Sequence, residues 1–383
     1  MGALRHLILA VAGLAATAPA AMAAELKYQL TDLESGVRAF AINNAGQMAG
    51  GHVQIFVVGD LNRNTLSASA KDPYPYILDG GFDSTGYAIN SLGDVAGGCI
   101  DGLPEGAFIY SNGQRVRLGT LSGDYFSRAY GINDRKDVVG SSSPRDGTWE
   151  RAFLYSNGNL QPLGTLGGPR SSARAINNRG QIVGAADSIL ADHFTYVQRA
   201  FLYENGAMRD LGTLGGDRSI ARAINQSGQV VGDAENAQLQ SHAFLYTDAT
   251  MRDLGTLGQD LYSSANGINL AGQVVGRSYN LSDSDYPRYY ADWRAFLYAD
   301  GTMLDLNTLV VGAPGWHLCE AFAINDLGQI VGWGTAPDGS DHGFLLTPVP
   351  EPALLPFVGA AILALGSRRL RDRRLSSSGS QPH

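Results

Sequence analysis

The sequence predicts an all-β fold: a β-propeller of seven four-stranded blades, with the ring closed by an N-terminal strand that completes the last blade. Three observations predict it. First, the phrase Ala-Ile-Asn-x-x-Gly-Gln-Val-Val-Gly, or a close variant, occurs seven times. Its asparagines are Asn43, Asn90, Asn133, Asn177, Asn225, Asn269 and Asn325, spaced by 47, 43, 44, 48, 44 and 56 residues. Second, another phrase follows the first, in fullest form Arg/His-Ala-Phe-Leu-Tyr-x-Asn-Gly-x-x-x-Asp-Leu-Gly-Thr-Leu-Gly-Gly. It occupies 151–168, 199–216 and 242–258 and, less perfectly, 106–123 and 294–309. Third, the last unit lacks the end of that second phrase, and residues 26–33 near the N-terminus supply it. A fixed period of this size marks an array of one supersecondary unit, and four short strands in about 45 residues make one propeller blade.

Within a unit the strands follow from the pattern. In the fourth unit, strand a is Ala173–Asn177, strand b Gln181–Gly184, strand c Ala200–Tyr203 and strand d Met208–Leu214. Asn-x-x-Gly puts Asn at position i and Gly at i+3 of a tight turn between a and b, where each is favoured, and the Asn side chain can cap its own turn. Ser156-Asn157-Gly158 and Glu204-Asn205-Gly206 carry the Asn-Gly hairpin signal between c and d. Adjacent hairpins give an antiparallel meander. The seventh unit has a (Ala321–Asn325), b (Gln329–Gly332) and c (Gly343–Thr347) but no d, and Asp32-Leu33 matches Asp210-Leu211. A strand from the N-terminus would remove the open edge that a linear array could keep. The first unit is degenerate: residues 51–81 hold no Asp-Leu-Gly-Thr-Leu, and Tyr74–Leu78 is its candidate strand c.

The two ends are of a different character. Residues 1–23 read as a secretory signal peptide, with Arg5, an apolar core at Leu7–Leu14 and an Ala21-Met22-Ala23 cleavage site, so the mature chain is expected to start near Ala24. Residues 349–374 hold Pro350-Glu351-Pro352, an apolar run at Ala353–Leu365 and a cluster of Arg368, Arg369, Arg371, Arg373 and Arg374. Thirteen apolar residues fall short of a full membrane span, and basic residues after an apolar run read as a cytoplasmic stop. Residues 375–383 are expected to be a disordered tail, and residues 24–348 to be the propeller.

The formal net charge of the chain is −8; without Arg5 and segment 349–374 it is near −12, with 22 basic against 34 acidic residues. This argues against nucleic acid as a partner, since phosphate binding needs a basic footprint. Two cysteines, Cys99 and Cys319, cannot support a body of this size. A disulfide between them is permitted in an oxidising compartment, but the predicted layout leaves one blade between theirs.

The three-part order at 349–374 resembles the PEP-CTERM sorting signal of Gram-negative bacteria. That resemblance implies export, transient membrane association through the C-terminal segment and an exosortase as the processing partner. An ordinary tail anchor is the alternative. The repeat itself lacks the Gly-His and Trp-Asp signature of WD-type propellers and the kelch pattern. Over residues 38–347 it resembles the HAF-repeat family of bacterial extracellular proteins, with His242-Ala243-Phe244 as the literal match and Arg in place of His at Arg151, Arg199 and Arg294. That family carries no catalytic residues to transfer.

Blade geometry sorts the candidates for function. The a–b and c–d turns lie on one face and are tight. The b–c and d–a connections lie on the other, and the b–c connections at 141–150, 185–198, 233–241 and 277–293 are long and variable. Variable loops on a rigid scaffold are a usual binding layout. The candidate ligand-binding residues are therefore loop aromatics: Trp149, Tyr196, Tyr279, Tyr289, Tyr290, Trp293 and Trp316, which can stack on sugar rings or anchor a protein. The alternative is that they pack over the blade tops. For the seven asparagines, turn capping competes with ligand binding in the channel and explains them without a ligand. Asp83, Asp124, Asp217 and Asp260 recur in the d–a loops without the spacing of a calcium loop. No His-Glu-x-x-His or Gly-x-Ser-x-Gly occurs, so no catalytic residue, metal or cofactor is expected. The expectation is a non-enzymatic propeller at the cell surface or in the extracellular matrix, binding an extracellular polysaccharide or an envelope protein through its loop face. The alternatives are a polysaccharide hydrolase or lyase on the same scaffold, marked by carboxylates converging at the loop-face channel mouth, and a structural matrix component without a discrete ligand.

Overall fold

The computed structural model describes residues 26–52, 84–99, 106–189, 195–280 and 292–350. The signal-peptide segment, all of the sorting segment after Pro350 and the candidate strand Tyr74–Leu78 lie outside the described residues.

All described sheets are antiparallel meanders in sequence order, apart from the one that closes the ring. β2 (Val37–Ile42) pairs with β3 (Met48–His52). The next sheet is β4 (Ser84–Ile89), β5 (Val95–Cys99), β6 (Gly106–Ser111) and β7 (Gln114–Gly119), followed by β8 (Phe126–Ile132), β9 (Val138–Ser143), β10 (Arg151–Ser156) and β11 (Asn159–Pro162). Then come β12 (Gly167–Ile176), β13 (Ile182–Ile189), β14 (Tyr196–Glu204) and β15 (Ala207–Asp210), and β16 (Gly215–Ile224), β17 (Val230–Asn236), β18 (Ser241–Thr247) and β19 (Thr250–Asp253). β20 (Tyr262–Ile268), β21 (Val274–Tyr279), β22 (Arg294–Ala299) and β23 (Thr302–Asp305) form the sixth sheet, which runs into the short helix α1 (Leu306–Leu309) and β24 (Val310–Val311). The last sheet has the order β24-β1-β27-β26-β25, with β1 (Tyr28–Ser35), β25 (His317–Ile324), β26 (Ile330–Thr335) and β27 (Asp341–Pro348).

The inner strands touch one another in a closed circle, β2 to β4, β8, β12, β16, β20, β25 and back to β2. Sheets arranged radially around such a circle make a β-propeller. Six of the sheets have four or more strands. Where a seventh four-stranded sheet is expected, the described residues hold only the pair β2–β3, and residues 53–83 lie outside them. The N-terminal strand completes the last sheet: β1 runs antiparallel to β27, with Asp32 opposite Phe344. The same register sets Asp210 opposite Phe201 and Asp253 opposite Phe244.

Strand d is shorter than the sequence suggests. β15 stops at Asp210, four residues before Leu214, because Gly212 takes a φ of +84°, a left-handed conformation that ends the strand. Strands a, b and c run further toward the loop face than the motif. Tyr196 therefore lies in β14 and Tyr279 at the end of β21, rather than in loops.

The recurring residues are those that hold sheets to sheets. The Phe of Ala-Phe-Leu-Tyr is at most 1% exposed at Phe108, Phe153, Phe201, Phe244, Phe296 and Phe344, so it forms the centre of each sheet's core. It stands opposite the glycine of strand b, as Phe153 does opposite Gly140. A Cβ on Gly140 would meet both the Phe153 ring and the Arg128 carbonyl, so the glycine makes room for the ring. Between sheets, Ser219 Oγ accepts from Ala200 N (2.9 Å) and donates to Gly212 O (2.6 Å), and Ser263 repeats this with Ala243 and Gly255. Arg209 donates to the Tyr246 hydroxyl at 2.6 Å, and Arg252 to that of Tyr298.

Candidate functional site

On the face of the a–b turns, the side chains of the seven asparagines are fully engaged in hydrogen bonds. Each Asn Oδ1 accepts from the backbone N–H four residues on, as Asn177 does from Gln181 (3.1 Å), which closes the turn. The amide Nδ2 does something the sequence did not disclose. It donates to the backbone carbonyl of the asparagine in the next unit: Asn43 to Asn90, Asn90 to Asn133, and onward to Asn325, which donates to Asn43 at 2.9 Å. The same Nδ2 also reaches the side chain four residues on, as in Asn225 to Gln229 Oε1 (2.7 Å). All seven asparagines are buried. The turn-capping reading therefore accounts for them, with an added role as a ring of inter-sheet bonds.

Three residues before each asparagine, the inner strands present a layer of partly exposed side chains: Phe40, Tyr87, Tyr130, Arg174, Arg222, Asn266 and Phe322. From Phe322 to Arg174, neighbours in this layer touch. Phe322 packs on Phe40 with ring centroids 5.0 Å apart, Phe40 on Tyr87 at 5.9 Å, Tyr87 on Tyr130 at 5.4 Å, and the Arg174 guanidinium lies 4.8 Å from the Tyr130 ring centre. Asn266 Nδ2 bonds Glu320 Oε1 and the Ala321 carbonyl. The inner wall is thus half aromatic and half cationic or amide.

Nearer the loop face, charged and aromatic groups gather on the last three units. Arg222 Nε pairs with Asp233 Oδ1 at 2.6 Å, and Asp233 also accepts from Ser264 (2.9 Å) and Ser241 (3.2 Å). Glu320, 6% exposed, accepts from Arg277 at 2.6 Å, from Asn266 at 2.9 Å and from the Trp333 indole at 3.3 Å. The Arg277 guanidinium lies 4.0 Å from the Trp293 ring centre and 5.3 Å from that of Tyr279. Tyr279 stacks on Tyr262 at 5.5 Å, and Arg38 lies over Trp333 at 4.4 Å. Burial, acting against Arg277 and Arg222, pushes the Tyr279 hydroxyl above its ordinary pKa. Two carboxylates do reach this region, but each is held by an arginine and by further donors.

Of the predicted loop aromatics, Tyr279 and Trp293 are brought together here, at 5.6 Å. Trp149, in the β9–β10 connection, and Tyr196, on β14, are about half exposed and belong to other units. Trp316 packs edge-on against His342 at 5.8 Å. Tyr289 and Tyr290 lie outside the described residues, as does Asp83. The sequence reading missed Arg38, Arg222, Arg277, Asp233 and Trp333. Their positions vary from unit to unit, so no repeated residue marked them; at the position of Arg222, four units have Phe or Tyr, two have Arg and one has Asn.

Most of the remaining candidates have structural partners, with Asp217 bonded only through its backbone N–H, to Glu235. Asp124 pairs with Arg151 and Asp260 with Arg294, both at 2.7 Å, so the Arg of Arg-Ala-Phe clips the preceding loop. His242 bonds Asp253 (2.8 Å) and His342 bonds Asp32 (2.7 Å), equivalent contacts between strands c and d. Cys319 is a buried free thiol, with its pKa pushed up to about 12 by desolvation. Among the described residues no group of three or more His, Cys, Asp or Glu could hold a metal ion. A small open cleft of about 140 Å³ lies beside Phe126, Arg128, Ser141 and Glu150.

These features define a β-propeller with the turns of one face bonded to one another around the ring and a cluster of charged and aromatic groups toward the other. A family model described as a protein of unknown function (DUF3466) matches residues 122–214, which hold β8 to β15. No curated protein matches the chain. Among solved structures, TolB from Acinetobacter baumannii is similar, with a TM-score of 0.42 and 11% identity. The match covers 67% of this chain, and this chain spans 63% of the TolB chain.

Proposed function

We propose that the chain is an exported, non-enzymatic, seven-bladed propeller that binds an extracellular glycan or an envelope protein through its loop face. The observation that carries this reading is the contrast between the faces. The asparagine turns spend their amide groups on one another, whereas Tyr262, Tyr279 and Trp293 gather around Arg277 at the mouth. Aromatic planes beside a guanidinium are suited to sugar rings and to protein anchors. The count of seven blades is supported by the circle of seven inner strands and by the asparagine ring, in which Asn43 on β2–β3 takes its place like the others.

Export rests on the terminal segments. The signal-peptide pattern and the PEP-CTERM-like order support secretion, processing by an exosortase and residence at the cell surface or in the matrix. Mass spectrometry of the mature protein is expected to show an N-terminus near Ala24 and loss of the arginine cluster. The binding reading is tested by retention of the mature protein on the host's extracellular polysaccharide and on envelope proteins, with Trp293→Ala expected to weaken retention about tenfold. Retention on neither defeats the reading and leaves a matrix component without a ligand. Turnover of the polysaccharide, abolished by Glu320→Gln, would favour the hydrolase or lyase instead. Against that alternative stand the ion pairs that occupy both Asp233 and Glu320.

A further inference from the structure

Arg222 and Arg277 each have a carboxylate beside them, but one cation of the channel wall has none among the described residues. That cation is Arg174. It is partly buried on β12, it lies over Tyr130, and its Nε is buried without a hydrogen-bond partner. Among the described residues it forms no ion pair. Ser172, two residues earlier on the same strand and 7% exposed, also has an unpartnered Oγ. On the adjacent strand β16, Arg222 shares Asp233 with two serine hydroxyls. The chain as a whole carries −8, so a part-buried guanidinium without a counter-ion goes against its overall charge. Leaving such a group unpaired is costly, and an incoming anion relieves that cost.

We propose that the channel throat binds a carboxylated sugar, with its carboxylate on the Arg174–Arg222 side and its ring against Tyr130 and Tyr87. This throat site is separate from the loop-face site around Trp293 and stands or falls independently of it. The planar guanidinium fork matches a carboxylate in a bidentate manner. The aromatic half of the wall offers ring faces for a pyranose, and Asn266, whose Nδ2 is held by Glu320 and the Ala321 carbonyl, offers its Oδ1 to a hydroxyl.

The test uses the full mature protein and galacturonate as probe, with galactose and inorganic phosphate as controls, read by calorimetry and by the shift in Tm. Galacturonate is expected to bind and raise Tm, galactose to bind at least tenfold more weakly, and phosphate not to compete. Arg174→Gln is expected to weaken galacturonate binding at least tenfold. Its own Tm should be little changed, since the cation it removes has no counter-ion and only the Tyr130 ring beside it. Arg174→Lys, which keeps the charge and loses the fork, should fall between. Equal binding of galacturonate and galactose, full competition by phosphate, or unchanged binding by Arg174→Gln would each overturn the proposal. If Arg174→Gln does not fold, Tyr130→Leu supplies the same comparison. Loss of galacturonate binding in a protein still retained by polysaccharide through Trp293 is the expected separation of the two sites. Absence of galacturonate binding by the unaltered protein, with polysaccharide retention intact, overturns the throat site alone. Galacturonate binding without polysaccharide retention overturns the loop-face reading alone.

Discussion

At the scale of single residues, the repeat is a set of mutual accommodations, and the places where one unit departs from the rest are informative. The hairpins between strands c and d need two residues with positive φ. Asn157-Gly158 (50° and 81°) and Asn205-Gly206 (53° and 79°) meet this need, but one unit uses Asp248-Ala249, at 50° and 60°. Alanine in the left-handed region is strained. Ala249→Gly is expected to stabilise the protein by about 1 kcal/mol in denaturant unfolding, the relief of strain exceeding glycine's entropy cost. Lys136 takes the turn position that is Gly46 or Gly180 in other units, at a φ of 64°, and its ammonium pairs with Asp94 of the preceding unit at 3.3 Å. Here a contact outside the unit offsets local strain. The turn role of the asparagines was legible, because Asn and Gly at this spacing have one common local use. Their second bond was not legible, because its acceptor is a backbone carbonyl in another unit and carries no residue-type signal. Arg174 and Arg222 were equally hidden, since only the geometry shows that neighbouring motif positions meet around one circle.

At the scale of the element, inner strands are fastened to the outer part of the preceding sheet by short side chains. Ser219 is the example: it is buried, and it satisfies both Ala200 N and Gly212 O. Ser219→Ala leaves both groups without their partner and is expected to cost about 1–3 kcal/mol, measurable by chemical denaturation. Acid acts on a related set of bonds. Asp137 is opposed by burial, but hydrogen bonds from Ser156, Asn133 and Arg135 outweigh it and hold its carboxyl below the usual range; Asp94 is held down in the same way by Ser111, Asn90 and Lys136. Asp253, also against burial, is held down by His242 and the Gly255 N–H. A depressed carboxyl contributes its stability above its unfolded pKa and loses it as pH falls through the folded value. Stability is therefore expected to be retained on acidification to about pH 4 and to fall below it. Asp137→Asn should flatten that fall in a pH series of Tm values. Strand existence and order were legible from hydrophobic pattern and turn chemistry. Strand ends were not, because the extensions of β12, β13 and β14 toward the loop face pair through backbone, with no repeated residue to mark them.

At the scale of the whole molecule, the sequence disclosed the array and its closure by the N-terminal strand because the missing Asp-Leu piece could be found elsewhere in the chain. It did not disclose the mouth, which is assembled from β16, β17, β20, β21, β25 and β26, strands far apart in the chain that meet only once the sheets stand side by side. The binding surface is thus a property of the assembled ring. The asparagine circle carries a consequence for how that ring comes to exist. Six of its links join residues 43 to 56 positions apart, while the seventh, Asn325 to Asn43, spans 282, and the His342–Asp32 contact of the closing sheet spans 310. Contacts between neighbouring units can propagate along the chain, but the closing contacts must wait for nearly all of it. In kinetic terms the molecule is expected to zip quickly and lock slowly. A permutant that moves the chain ends to the hairpin at Asn205-Gly206 would shift that slow, long-range step to another sheet without changing the finished ring.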